Sequence, residues 1–145
     1  MYLLDTNIVS TLDPRRRVHS TGFVDWLERN GAGLYLSVMS ITELDAGALK
    51  LKREGKTARA GEIASLVTAI LADFSDRVLP VDIETARVLA QLAEQTHRQP
   101  VDLPDLIIAA TAARHGLVVL TRNLGHFTRL DVAARDPLVD LPPDI

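Results

Sequence analysis

Four polar residues with oxygen or amide donors stand where an apolar run gives way to a helix or turn: Asp5 in YLLDTN, Glu43 in LYLSVMSITEL, Asp105 in VDLPDLIIAATA and Asn123 in LVVLTRNLGHF. In an open parallel α/β sheet the carboxyl ends of the strands face one crevice, and ligands bind there. Residues far apart in the chain can therefore meet around a single cation. The chain has no cysteine and no paired-histidine motif, so the donors are oxygens, which suit Mg²⁺ or Mn²⁺ rather than zinc.

Each position also has a purely structural reading. Asp5 is placed to N-cap a helix beginning near Thr6, with Asn7 and Ser10 close enough to support it. Glu43 completes the sequence Ser40-Ile41-Thr42-Glu43, the pattern of a capping box. A helix N-terminus stabilises negative charge, so that placement would also keep Glu43 ionised; Asp45 points to another side. Asp102-Leu103-Pro104-Asp105 reads as a helix start. The following run, Leu106 to Ala113, is apolar nearly all round and must be buried on more than one side. An acid at the mouth of such a helix is engaged rather than solvated, which favours Asp105 as a ligand and Asp102 as a cap. Asn123, near Gly125, is an ordinary turn residue except that it is the fourth polar group at a strand end.

The elements that must position these groups follow from periodicity. Strand-like runs at Tyr2 to Asp5, Leu34 to Ser37, Val78 to Val81 and Leu117 to Thr121 alternate with helical patterns, the signature of βα units and a parallel sheet. Phe23, Trp26 and Leu27 mark one helix face, and Leu44, Ala48 and Leu51 another. Two further stripes, Ile63-Leu66-Val67-Ile70-Leu71-Phe74 and Ile83-Ala86-Leu89-Leu92-Ala93, read as core faces. Gly55 and Gly116 fall where left-handed C-caps favour glycine, and the segment from Gly55 to Thr57 is a tight joint between two helices. The proline-containing stretch 136–145 reads as an irregular tail.

A chain of 145 residues fits one domain, 1–145. It shows no signal-peptide pattern and no membrane-spanning run, so a soluble, cytoplasmic protein is expected. The net charge of -3 would disfavour nucleic acid, but the charge is uneven. Arg15, Arg16 and Arg17 are consecutive, and Lys50, Lys52, Arg53, Lys56 and Arg59 crowd a second stretch. Local basic patches can track phosphates on an acidic chain; the second patch reads equally as a solvated helix face.

The ordered segments LLDTNIVS, SVMSITELDAG, LPDLIIAATAARHGL and VLTRNLGHF resemble those of PIN-domain nucleases, in particular the VapC-type toxins of toxin-antitoxin pairs and their FitB-like branch. The resemblance covers nearly the whole chain. It implies a three-layer α/β/α sandwich with a central, mainly parallel sheet. It also implies that Asp5, Glu43 and Asp105 bind Mg²⁺ or Mn²⁺. Asn123 stands where many relatives carry aspartate, so a neutral amide joins three carboxylates. Thr6, Asn7 and Thr121 match positions that support the ligands. A cognate antitoxin, an RNA substrate and a homodimer are implied as partners.

The chemistry expected is hydrolysis of an RNA phosphodiester. Asp5 and Asp105 hold the metal and Glu43 orients or deprotonates the water. Arg15 to Arg17 and Arg122 are placed to neutralise neighbouring phosphates. His19, His97 and His115 read as structural or surface residues, whereas His126 lies near Asn123, where packing of the turn is its expected role. Other acid-based sites fit less well. A receiver-type phosphoacceptor needs a lysine after a late strand, and the lysines all lie between positions 50 and 56. An aspartate-nucleophile phosphatase would carry an acid two residues after Asp5, where Asn7 stands. Glycine-rich nucleotide motifs are missing. A PIN-like module that binds RNA or protein without cleavage, and a housekeeping RNA-processing nuclease, remain as alternatives.

Overall fold

Tyr2–Leu4 form strand β1 with all three side chains buried, which requires cover on both faces: Tyr2 and Leu4 enter one core and Leu3 the other. The computed structural model describes residues 1–15 and 21–145, so Arg16, Arg17 and His19 lie outside the described residues. After β1 come α1 (Thr6–Val9), a short 3₁₀ turn, α2 (Thr21–Asn30), β2 (Leu34–Ser37), α3 (Val38–Arg53) and α4 (Thr57–Asp73). The remaining elements are β3 (Val78–Leu79), α5 (Ile83–Gln95), α6 (Leu103–His115), β4 (Val118–Leu120), α7 (Leu124–Thr128) and β5 (Ala134–Arg135).

The sheet order is β3-β2-β1-β4-β5, and every pairing is parallel. Leu4 stands in register with Leu36 on one side and Leu120 on the other. The chain winds outward from β1 through β2 to β3, then recrosses to lay β4 against the free side of β1. The strand order reverses between β1 and β4, and an open α/β sheet forms its binding crevice at such a switch point.

Phe23, Trp26, Leu44, Leu66, Val67 and Ile70, from α2, α3 and α4, fill the core on one face. Leu92, Leu106, Ile108, Ala109 and Phe127, from α5, α6 and α7, fill the other. The expected three-layer sandwich is thus present, with a fully parallel sheet. Each fully buried leucine or phenylalanine in these cores stabilises by roughly 1.5–3 kcal/mol. Trp26 meets Tyr2 edge-on at 5.4 Å between ring centroids.

Several expectations shift. β3 stops at Leu79 because Pro80 cannot donate to the ladder, and β4 is one residue shorter at each end than its apolar run. The edge strand β5 has only two residues, Ala134 and Arg135, and carries no β-rich pattern to signal it. On α5 the stripe through Ile83, Ala86 and Ala93 is not the core face: these three are exposed, Ile83 to 81 %. The face turned inward is Thr85, Val88, Leu89, Leu92 and Thr96, at the same helical spacing but rotated. α5 borders solvent, and α6 alone sets which side is covered. Leu71 on α4 is likewise exposed. Gly55 and Gly116 have φ of 78° and 64°, the left-handed caps expected of them.

The tail, 136–145, has no helix or strand but is tied down. Tyr2 Oη donates to the Pro143 carbonyl at 2.9 Å. Asn30 Nδ2 donates to Asp144 at 2.8 Å, and Asn30 Oδ1 accepts the Ile145 amide at 2.7 Å. Ile145 fills the space beside Gly33, where a Cβ would come within 2.4 Å of it.

Asp13 anchors the loop after α1. Its side chain is 1 % exposed and lies 3.1 Å from Arg59 on α4 and 3.4 Å from Arg15. Burial pushes its pKa up, but the Arg15 amide and the Arg59 guanidinium outweigh that and hold it below the ordinary carboxylate value. The stabilisation is complete above the unfolded-state pKa of about 4 and fades as pH falls through the lower folded value. Asp13→Asn should therefore lose stability at pH 7, with the difference from wild type shrinking on acidification. Urea unfolding at a series of pH values checks this; a pH-independent difference would contradict it.

Candidate active site

Asp5 leaves β1 in extended conformation and N-caps α1, so the capping and site readings describe one placement. Its side chain is 4 % exposed. Oδ1 accepts the Thr6 amide at 2.6 Å; Oδ2 accepts Asn7 Nδ2 at 2.6 Å and Thr121 Oγ1 at 2.7 Å. Thr121 follows β4 directly, so this last bond closes the crevice between the two strands at the switch point. Thr121 Oγ1 also accepts the Asn123 amide at 2.9 Å, and Asn7 Oδ1 accepts the Arg122 amide at 3.1 Å. Thr6, Asn7 and Thr121 thus hold the crevice in shape, through hydrogen bonds that the sequence alone does not reveal.

Glu43 reaches the same crevice from α3, but not through a capping box. α3 begins at Val38, and Ser37 is its N-cap, accepting the Met39 amide at 3.1 Å. β2 runs straight into the helix, so Ser40 is already inside it, buried and, among the described residues, without a hydrogen-bond partner for its hydroxyl. Glu43 lies in the second turn and accepts a hydrogen bond from Thr6 Oγ1. Asp45 is exposed and lines a separate cleft between α3 and α4.

Asp105 stands in the first turn of α6, behind Asp102 at the N-cap position. The Asp102 side chain makes no capping bond. Asp105 Oδ2 lies 2.6 Å from His126 Nδ1 on α7. The sequence places His126 near the site but gives no sign that it would pair with Asp105, because the contact depends on how α7 folds back. Asn123 sits at the N-cap of α7, exposed, with no side-chain capping bond.

Asp5 and Glu43 feel neighbouring carboxylates. Burial raises the pKa of Asp5 most; hydrogen bonds from Thr121 and Thr6 oppose it, Asp105 adds to it and His126 opposes it, with a net rise. Burial likewise raises Glu43, Thr6 opposes, and Asp5 and Asp105 add, again with a net rise. This is a crevice in which negative charge is crowded and partly desolvated. Among the described residues no three acidic or histidine side chains are arranged so as to hold a metal ion as they stand. Asp105 is held by His126 and Glu43 by Thr6. The donors are nonetheless hard oxygens short of positive charge, a set whose chemistry would fit a hard divalent cation.

The family described as "PIN domain" matches residues 2–133. The chain belongs to the PIN-domain family. Toxin FitB of Neisseria gonorrhoeae is 36% identical over 143 residues, covering 97% of this chain and all of that protein. The VapC ribonuclease Y4jK of Sinorhizobium fredii is 34% identical over 132 residues, 88% of this chain and 90% of that one. Among solved structures, FitAcB from Neisseria gonorrhoeae superposes with a TM-score of 0.72 at 36% identity, covering 94% of this chain and 98% of that one. DNA-bound VapBC from Salmonella typhimurium gives 0.75 at 25% identity, covering 93% and 96%.

In this PIN domain the basic residues divide. Arg15 is paired with Asp13, and Arg59 with Asp13 and Glu62. Lys56 is paired with Glu54, while Lys50, Lys52 and Arg53 are exposed at the end of α3. Arg122 is exposed beside the crevice, its amide bound to Asn7.

Because Glu43 is held above its ordinary pKa, its charge destabilises the fold of this PIN domain at neutral pH. Glutamine keeps an oxygen to accept from Thr6 without that charge. Glu43→Gln should therefore unfold at higher urea than wild type at pH 7 in chelator, and the gain should vanish at acidic pH where wild-type Glu43 is protonated. Paired urea titrations test this, and a less stable variant at pH 7 would refute the charge-crowding account.

Proposed function

We propose that the protein is a Mg²⁺-dependent endoribonuclease that hydrolyses RNA phosphodiesters as the toxin of a toxin-antitoxin pair. The observation that carries this reading is that Asp5, beside the β1–β4 switch point, feels the charge of Asp105, and Glu43 feels the charge of both. Relatives bearing the names toxin and VapC ribonuclease support the activity.

Asp5, Asp105 and Glu43 would hold the metal, with Mn²⁺ as the other ion that suits them. When bound, it supplies polarisation of the phosphoryl oxygen and acidification of a water. Asp5 is fixed by three donors and cannot swing, so its role is to bind and orient. Glu43, held by one hydroxyl and raised in pKa, is the group suited to take a proton at its carboxylate. Asn123, neutral and exposed, acts through hydrogen bonds to substrate or water. Arg122 at the rim, with Arg15, Arg16 and Arg17, would neutralise flanking phosphates.

Solved relatives described as FitAB and VapBC complexes support a cognate antitoxin as partner. The cleft of about 550 Å³ between α3 and α4, lined by Ala48, Leu49, Ala60 and Ala64, offers apolar surface for it. Exposed Val81 and Ile83 leave apolar area for a second copy in a homodimer. No helix among the described residues is long and apolar enough to cross a membrane, in keeping with action in the cytoplasm.

Asp105→Asn retains an oxygen for His126 but removes the charge. It should stay folded and lose RNA cleavage with Mg²⁺ by at least about 100-fold, beyond the scale for a residue that merely supports a ligand. Wild-type cleavage should cease on adding chelator. Labelled total RNA resolved on a gel reads both. Wild-type rates from the variant would overturn the metal assignment, and RNA binding without metal-dependent products would favour a non-cleaving module.

A further inference from the structure

Next to Asp105 a small cavity of about 170 Å³ is walled by Pro100, Val101, Asp102, His126 and Arg129. Arg129, the C-cap of α7, also lines a second cavity of about 300 Å³, whose other walls are Gln95, Thr96, Arg98 and Gln99. The two cavities share the Arg129 side chain, so they adjoin: one is lined by Asp105 and His126, the other by amides, a hydroxyl and two guanidiniums.

The arginines lining these cavities differ from several others in the protein. Arg15, Arg59, Arg77, Arg114 and Arg135 each lie within 4.0 Å of a carboxylate. Among the described residues Arg98 and Arg129, like Arg53, Arg87 and Arg122, have no ion-pair partner, and these two line one cavity together. The turn that carries Arg98 is nonetheless ordered: the Gln99 amide donates to the Thr96 carbonyl at 2.9 Å, and Thr96 Oγ1 to Leu92 at 2.9 Å. Uncommitted guanidiniums on ordered backbone, flanked by glutamine amides, suit an anionic group joined to a flat hydrogen-bonding one, since guanidinium binds phosphate and also stacks on bases. The volume matches the lower end of ligand pockets, about 300 Å³.

We infer that the cavity formed by Gln95, Arg98, Gln99 and Arg129 is a nucleotide subsite, through which single-stranded RNA runs away from the Asp105 end of the crevice over His126. This deepens, and rests on, the nuclease reading given above. The pocket binds a phosphate and base flanking the scissile position, so it governs affinity for a chain and not the bond-breaking step.

The test compares wild type with Arg98→Ala/Arg129→Ala and Arg98→Lys/Arg129→Lys. Anisotropy of a fluorescein-labelled, roughly 12-nucleotide single-stranded RNA, long enough to span both cavities, is read in chelator. The alanine pair should bind roughly 10-fold more weakly per arginine removed, the scale of a charged hydrogen bond. Its log affinity against log salt should be shallower by about 0.7 for each phosphate it no longer neutralises. The lysine pair should keep the slope. With Mg²⁺, cleavage of bis-p-nitrophenyl phosphate, which reaches only the acidic crevice, should be unchanged while KM for RNA rises. Unaltered RNA affinity and slope in the alanine pair would overturn the subsite. So would equal losses on both substrates by a variant whose urea unfolding matches wild type, which place the arginines' effect at the acidic crevice, or poly-glutamate binding as tightly as RNA through the same arginines, which marks an acidic protein partner. Arginine-dependent RNA binding by a wild type that yields no products would leave the subsite standing and remove the nuclease reading instead.

Discussion

A carboxylate buried as deeply as Asp5 has given up most of its hydration, and an unpaired charge in that position costs several kcal/mol. Among the described residues no cationic side chain bonds to it; its oxygens are satisfied by the Thr6 amide, Asn7 and Thr121. Those donors come from the helix that follows β1 and from the exit of β4, so satisfying one side chain fixes the relation of two chain segments more than a hundred residues apart, |i−j| = 116 for Asp5 and Thr121. The consequence propagates. Thr121 also sets the Asn123 amide, hence the start of α7, and α7 carries His126 to Asp105. A single run of hydrogen bonds links the acid of the first strand to the acid of the sixth helix.

Crowding like charges opposes folding, and the rest of the molecule is built to withstand it. Ala109, Ala110 and Ala112 are all fully buried in α6, and small side chains let that helix lie close against the sheet. The close approach brings Asp105, in its first turn, to the crevice. Larger residues there would push the helix outward and relieve the repulsion at the expense of the site. The two cores on either side of the sheet offset what remains. An acid cluster is sustainable here because its members sit on rigid elements rather than on loops free to separate.

How far the sequence discloses this depends on the range of the interaction. Asp5 was legible as the end of an apolar strand and the cap of a helix, and Asp105 as an acid in the first turn of a nearly all-apolar helix. That helix follows a loop and not a strand, and Glu43 lies a full turn inside α3. The parallel topology follows from the alternation of periods. Gly55 and Gly116 announced their left-handed caps for equally local reasons. What stayed hidden is non-local. The sequence of Ser40 to Glu43 matches a capping box, yet helix α3 starts at Val38 because β2 delivers the chain directly into it. The inward face of α5 is chosen by α6, so Ile83 could not be recognised as exposed. Arg59 belongs to a run of basic residues but is consumed by Asp13, while Arg98 and Arg129, unremarkable in the sequence, meet across one cavity.

The same logic bears on how a chain of net charge -3 could take the polyanion proposed for it. Net charge governs long-range encounter, whereas a bound strand feels local potential within about a Debye length, roughly 8–10 Å at physiological salt. At that range the protein is divided: carboxylates at the switch point, arginines at Arg122 and beyond His126. The raised pKa values of Asp5 and Glu43 mean that the centre already carries more negative charge than its desolvated surroundings favour. Crowded carboxylates oppose the approach of a phosphate, and no lysine or arginine among the described residues bonds to Asp5, Glu43 or Asp105 to offset them. Under the proposed reading a divalent cation would offset this charge at the centre, and the arginines would act where a strand leaves it.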